Sequence, residues 1–249
     1  MIAHLRSLFF TFIFFGAVEL IVFFDLLGGK NGLFLATFLI IFAVFAGWNV
    51  GKSMLYSFLS FSLAASSLGL LYFIDNIREQ QIFGLLVSAL FYMVLLGIKR
   101  IRRNAFDMTA RSLFSASLIA IIFLFYAVVY GLYINFNIPL WLFIGTHFVF
   151  VNVVTFVSLR AYSSSYRRIF LYSTVIAFAM IQLVWMANFW PFGYLTMAAI
   201  SLMFYYILWD LVQMVFLEIL SKKRIVITIL YCVVLTLAVL LTTQWLLVG

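Results

Sequence analysis

Charge is what this chain has least of. Only 9% of its 249 residues are Asp, Glu, Lys or Arg, whereas 67% are apolar or aromatic. Ordinary globular chains carry about a quarter charged residues, so a water-facing fold has too little polar surface to draw on here. A mean hydropathy of +1.24 points to lipid as the solvent. Proline and glycine are also sparse, at 2 and 13 residues, which excludes a disordered, linker-rich or collagen-like chain. Cysteine is present once, as Cys232, so an internal disulfide, a thiolate zinc site and a C-x-x-C redox pair are all excluded. The sequence holds no H-E-x-x-H, no G-x-x-x-x-G-K-[ST] and no G-x-S-x-G. Its aspartates do not pair at the spacing of a diphosphate-binding magnesium site, and no cofactor or metal is expected. These absences weigh against an enzyme without excluding one, because polytopic transferases assemble sites from single residues on separate helices.

What is there in quantity is apolar run. A helix needs about 20 mostly apolar residues to cross the hydrocarbon core of a bilayer. Nine such runs are present: Leu8 to Leu27, Leu33 to Val50, Met54 to Ile74, Gln81 to Ile98, Ser112 to Ile134, Leu140 to Leu159, Ile169 to Asn188, Leu195 to Leu220 and Ile225 to Val248. Lipid offers backbone groups no partners, and the runs lack a period of two, so helices are expected rather than barrel strands. The fold class is an all-α polytopic integral membrane bundle. Short connections leave no room for an extramembrane domain, so residues 1–249 are expected to form a single transmembrane domain.

Lys and Arg set the orientation, because cytoplasmic loops retain them. With the N-terminus cytoplasmic and the C-terminus outside, thirteen of the fifteen basic residues fall in inside segments, and only Lys30 and Arg78 fall outside. The same bias accounts for the net charge of +8, so a nucleic-acid partner is not needed to explain it. The first run follows a short basic segment as a secretory signal does. It continues through Phe24 without a small-x-small cleavage site, and an uncleaved signal anchor is expected. Tiny loops suggest a bacterial-type plasma (inner) membrane.

Several local patterns carry two readings each. Asn135-Phe-Asn-Ile-Pro139 and Asn188-Phe-Trp-Pro191 resemble one another, either as prolines at helix first turns or as a trace of duplication. Trp141, Trp185, Trp190 and Tyr194 form an outer aromatic belt, or else a surface for a sugar or lipid headgroup. Ser53, Ser57, Ser60, Ala64 and Ser67 put small residues on one face of the third span, which suits close helix packing or a polar pathway. Lys99, Arg100, Arg102, Arg103 and Arg111 are candidate contacts for anionic lipid headgroups, although ordinary topology already accounts for them.

Ionisable residues inside lipid are costly and usually face a bundle interior or a cavity. Glu19 lies near the middle of the first span, His147 about two turns into the sixth, and Asp210 in the inner half of the eighth. With Gln182 of the seventh they make the candidate intramembrane polar site. Glu19 serves either as a hydrogen-bonding group between helices or as a proton or cation carrier. Asp210 and Gln213 share a face at i, i+3, and His147 aligns with Thr155 two turns on, as a packing histidine or part of a proton relay with Glu19 or Gln182. Asp25 can reach the headgroups, Asp75 and Glu79 bracket Arg78, and Glu218 pairs with Lys222 at i, i+4 on an exposed helix. The sequence thus points first to a small-solute or ion transporter, then to a structural or assembly subunit binding lipids or other membrane proteins. A lipid-processing transferase is a third reading.

Overall fold

The computed structural model describes residues 2–24, 30–104, 107–162 and 165–243. Among them are nine α-helices and no strand: α1 (Ile2–Phe23), α2 (Lys30–Gly51), α3 (Met54–Leu71), α4 (Ile77–Arg103), α5 (Met108–Phe136), α6 (Leu140–Arg160), α7 (Tyr166–Ala187), α8 (Tyr194–Phe216) and α9 (Lys222–Thr242). Every one is long and apolar enough to cross a membrane. The chain is therefore an all-helical, multi-pass integral membrane protein. Asp25 and the end of the last apolar run, to Val248, lie outside the described residues.

Helix ends differ from the ends of the apolar runs, and capping chemistry explains how. α4 starts four residues before Gln81 because Asn76 accepts the Arg78 backbone N–H at 3.1 Å and caps it. Its other end continues through the charged residues to Arg103. Asp107 takes the same role for α5, accepting the Thr109 N–H at 3.1 Å. α8 stops at Phe216, four residues short of the expected end. The Glu218 N–H donates to the Val215 carbonyl and the Ile219 N–H to the Met214 carbonyl. Those two bonds form a Schellman motif, and Glu218 sits at its left-handed position with φ 57°, where glycine is usual. Glu218 and Lys222 thus belong to different elements rather than to one helix face. Glu79 accepts from the Asn76 side chain at 3.2 Å in the first turn of α4. Pro139 is the residue before α6, while Pro191 lies three residues before α8, so only the first stands at a helix start.

The chain divides into two compact units, Met1–Phe125 and Tyr126–Gly249, with α5 contributing to both. In the first, α1 packs on α4 and α2 on α3. Phe14 stacks on Phe91 at 4.3 Å between α1 and α4. Between α2 and α3 the approach is closer still: a Cβ added to Gly47 would lie 2.7 Å from Ser60 Oγ and 2.9 Å from Ser57 Cα. Ser57, Ser60, Ala64 and Ser67 are all buried, so the small-residue face of α3 is a packing face. Two of its hydroxyls turn back on their own helix, Ser57 to the Ser53 carbonyl at 3.3 Å and Ser67 to the Ala64 carbonyl at 2.9 Å, while Ser60 Oγ is buried against Gly47 without a hydrogen bond among the described residues.

In the second unit α6 and α7 form an antiparallel pair, as do α8 and α9. Asn152 donates to Thr174 at 3.1 Å and accepts from Ser173 at 3.2 Å, fixing the register of α6 on α7. α9 is held on one narrow line, with Cys232 its one buried residue among those described. Three polar rungs tie it to α8. Thr228 donates to Asp210 at 3.1 Å, Thr236 to the Met203 sulfur at 3.2 Å, and the Thr196 and Thr243 hydroxyls meet at 3.4 Å. On α8 these positions, 196, 203 and 210, recur every seven residues, the spacing that keeps one side of a helix facing a partner.

Candidate functional site

The densest polar arrangement inside the spans lies in the second unit, where α5, α6 and α8 meet. Along α6, His147, Thr155 and Ser158 are fully buried on one side. Along α8, Ser201, Tyr205 and Trp209 follow one another at intervals of four and are buried too. Cross-helix bonds join them in order. The Tyr130 hydroxyl of α5 meets Ser201 Oγ at 3.3 Å, Thr155 Oγ1 meets the Tyr205 hydroxyl at 3.2 Å, and Trp209 Nε1 donates to Ser158 Oγ at 3.0 Å. The residue offset from α6 to α8 barely changes between the last two pairs, so the helices run parallel there. The ladder from His147 to Ser158 extends about 16 Å by helical rise.

His147 occupies the head of this ladder. Its ring lies 4.5 Å from Phe143, 4.9 Å from Tyr126 and 5.5 Å from Tyr130, centroid to centroid. Nδ1 is 2.8 Å from the Phe143 carbonyl oxygen one turn back, and because that oxygen only accepts, Nδ1 carries the proton. Such a setting holds the imidazole by aromatic packing and a local backbone bond. At the unit's end nearby, Asn188 donates to the Tyr133 hydroxyl at 3.0 Å and fastens the α7–α8 connection to α5.

The other expected site residues do not gather around His147. Gln182 is exposed, because the buried face of α7 runs through Ile176, Met180, Val184 and Ala187, and position 182 falls on the opposite side. Asp210 turns toward α9 and Thr228, one residue past the Trp209 rung and on a different face. Gln213 is half-buried. Glu19 belongs to the first unit, where it is half-buried on α1; its Oε1 lies 3.8 Å from the point a Gly84 Cβ would occupy. A Cβ at Gly84 would press on Val18 Cγ1 at 3.0 Å, so the glycine lets Val18 approach α4 closely, with the Glu19 carboxyl group beside it. Beside it, Val18, Ser67, Leu71, Gly84 and Val87 line a cavity of about 10 Å³, room for a single water at most. Among the described residues no three His, Cys, Asp or Glu side chains gather as a metal-binding group.

Among the candidate lipid-contact residues, Arg102 and Arg100 hydrogen-bond to other helices of the unit. Arg102 donates to the Val50 carbonyl at the end of α2 at 3.2 Å, where a cation also complements the helix dipole. Arg100 donates to Thr109 Oγ1 at 3.4 Å across the α4–α5 turn. Arg103 is exposed, and Lys99 and Arg111 are half-buried. Of the aromatic belt, Trp141 is 74% exposed and Trp185 is exposed, while Trp190 and Tyr194 are half-buried. All four lie at the end of the second unit where α6 and α8 begin and α7 finishes. Arg160, stacked 3.9 Å over the Tyr166 ring, is at the opposite end.

Sequence reasoning singled out His147 and its alignment with Thr155 but not the tyrosines and Trp209 that complete the ladder. Their four-residue spacing on α8 was the available signal, and it is hard to distinguish in a chain with 31 Phe and 13 Tyr. Fold and site together define a polytopic membrane protein whose buried polar groups bridge helices. No protein-family model, curated protein or solved structure matches the chain.

Proposed function

We propose that the chain is a non-catalytic structural or assembly subunit of a bacterial-type plasma membrane, with its N-terminus cytoplasmic and its C-terminus outside. Its partners are bilayer lipids, anionic ones among them, and other membrane proteins. One observation carries this reading: in the second unit, polar groups of α6, α8 and α9 close on neighbouring helices. Asp210 on Thr228, Tyr205 on Thr155 and Trp209 on Ser158 are pairs of the kind that hold helices together where no hydrophobic drive exists between them. A carrier uses such groups to meet solute or water instead. The orientation is supported by the distribution of Lys and Arg, which cluster at one end of each unit.

A second reading, a small-solute or ion carrier, is favoured by Glu19, a half-buried carboxylate in mid-span. One experiment separates the two. In a Cys232→Ser background, Glu19→Cys reports alone to a charged, membrane-impermeant thiol reagent in intact cells, with Lys30→Cys as the positive control. The subunit reading expects prompt labelling at position 30 and none at position 19 over the same interval. Rapid labelling at 19 would establish a water path to mid-membrane and overturn it in favour of the carrier.

A further inference from the structure

The outward side of α1 combines an apolar groove with a cation at its mouth. Leu5, Leu8, Phe9 and Phe12 line a concavity of about 520 Å³ together with Arg6. These apolar positions recur at i, i+3, i+4 and i+7 along one side of the helix, and Leu5, Phe9 and Phe12 are largely exposed. The groove rises about 10 Å, some two thirds of the hydrocarbon depth of one leaflet. Its position in the unit matters as much as its lining. Arg6 lies within electrostatic reach of Lys99, and the bonds from Arg102 to Val50 and from Arg100 to Thr109 bring the ends of α2 and α4 and the start of α5 to the same end of the unit. Asp107 is the acidic residue described at this end; the Thr109 hydroxyl bonds its carboxylate and accepts from Arg100, which places that charge beside Arg100 at the α4–α5 turn. Arg6, a cation at a lipid boundary with another cation within electrostatic reach, is stabilised by a counter-charge that joins it. A bilayer supplies one at this depth, a phosphodiester with hydrocarbon hanging directly below it.

We propose that this face of α1 binds one anionic phospholipid, its acyl chain lying along Leu5, Leu8, Phe9 and Phe12 and its phosphate against the Arg6 guanidinium. Arg6 supplies planar, paired donors that match a phosphate, and the groove selects for an attached chain rather than for a free anion. The site stands whether the protein is a subunit or a carrier.

Native mass spectrometry of the full-length protein in detergent tests it, with phosphatidylglycerol or phosphatidylcholine of identical acyl chains added in steps. The wild type should take up its first phosphatidylglycerol at lower lipid concentration than phosphatidylcholine. Arg6→Gln should weaken phosphatidylglycerol uptake about fivefold, the share of one interfacial cation, and leave phosphatidylcholine unchanged. Arg6→Lys should fall between the two, and Phe9→Ala should weaken both lipids. Lys223→Gln removes an equal charge from the other unit and should change neither. Retention of the preference in Arg6→Gln would overturn the proposal, as would an equal loss in Lys223→Gln, the mark of diffuse charge attraction. Displacement of phosphatidylglycerol by inorganic phosphate alone would also overturn it, since the ligand would then be a free anion. So would a lipid-free dimer that Phe9→Ala dissociates, because a second copy would then be what covers the groove.

Discussion

Removing the hydroxyl of Thr228 while keeping its shape, as Thr228→Val, tests whether polar rungs hold α9. Interhelical hydrogen bonds in membranes contribute about 0.6 kcal/mol on average and up to about 1.7. Asp210 accepts from Thr228 at 3.1 Å, a sound bond to a carboxylate, so the upper half of that range applies. Cys232 provides the assay, because it is the sole thiol, 2% exposed, and one turn from Thr228 on α9. When opening is fast relative to modification, its rate of reaction with a small lipid-permeant maleimide follows the equilibrium for α9 leaving α8. A loss of about 1 to 1.7 kcal/mol therefore means labelling about fivefold to twentyfold faster. Thr236→Val should act less, because that hydroxyl meets a weakly accepting sulfur and also donates to the Cys232 carbonyl of its own helix at 2.8 Å. Among the described residues Thr242 bonds only to Ala238 and Val239 of α9, and Thr242→Val is the control. Labelling of Thr228→Val at the rate of Thr242→Val would refute the idea that Asp210 anchors α9.

Other substitutions probe the remaining contacts. Gly47→Ala places a methyl 2.9 Å from backbone at Ser57 and should cost about 1–3 kcal/mol by detergent-denaturation titration, whereas Gly145→Ala, with open space around it, should be neutral or stabilising by up to about 1 kcal/mol; equal effects at the two sites would show that α2 and α3 do not approach so closely. Glu218→Gly relieves the left-handed backbone at φ 57° and should raise stability by about 0.5–1 kcal/mol in the same titration, and a loss would argue against the Schellman end of α8. Tyr205→Phe removes the bond to Thr155 without changing ring volume and should cost about 0.6–1.7 kcal/mol; no change would mean that the ladder is held by ring packing alone.

The spans were legible in the sequence because bilayer thickness sets a length that an apolar run either reaches or does not. Their ends were less so. Hydropathy stops where lipid stops, but α4 runs on through charged residues to Arg103, and α8 breaks at a left-handed glutamate that no glycine announced. The site was legible in part for a related reason. His147 and Asp210 stand out because lipid makes them expensive, and both do have defined polar partners. The partner of Asp210, however, comes from another helix, and Tyr130 meets Ser201 across 71 residues of chain. One sequence does not encode such pairings locally.

Asp210 shows how far local reading could have gone. Its expected companion was Gln213, chosen because i, i+3 residues share a face. A short connection between the eighth and ninth runs also implies an antiparallel pair, and in such a pair positions 196, 203 and 210 approach the turn along one helix as positions 243, 236 and 228 approach it along the other. Threonines facing a heptad of Thr, Met and Asp are then a packing register written in polar residues. Soluble helices mark their buried side with apolar stripes, but a helix apolar all round has no such mark. In lipid the polar residue does that work, and a lone carboxylate in a span identifies the neighbouring helix before it identifies a substrate.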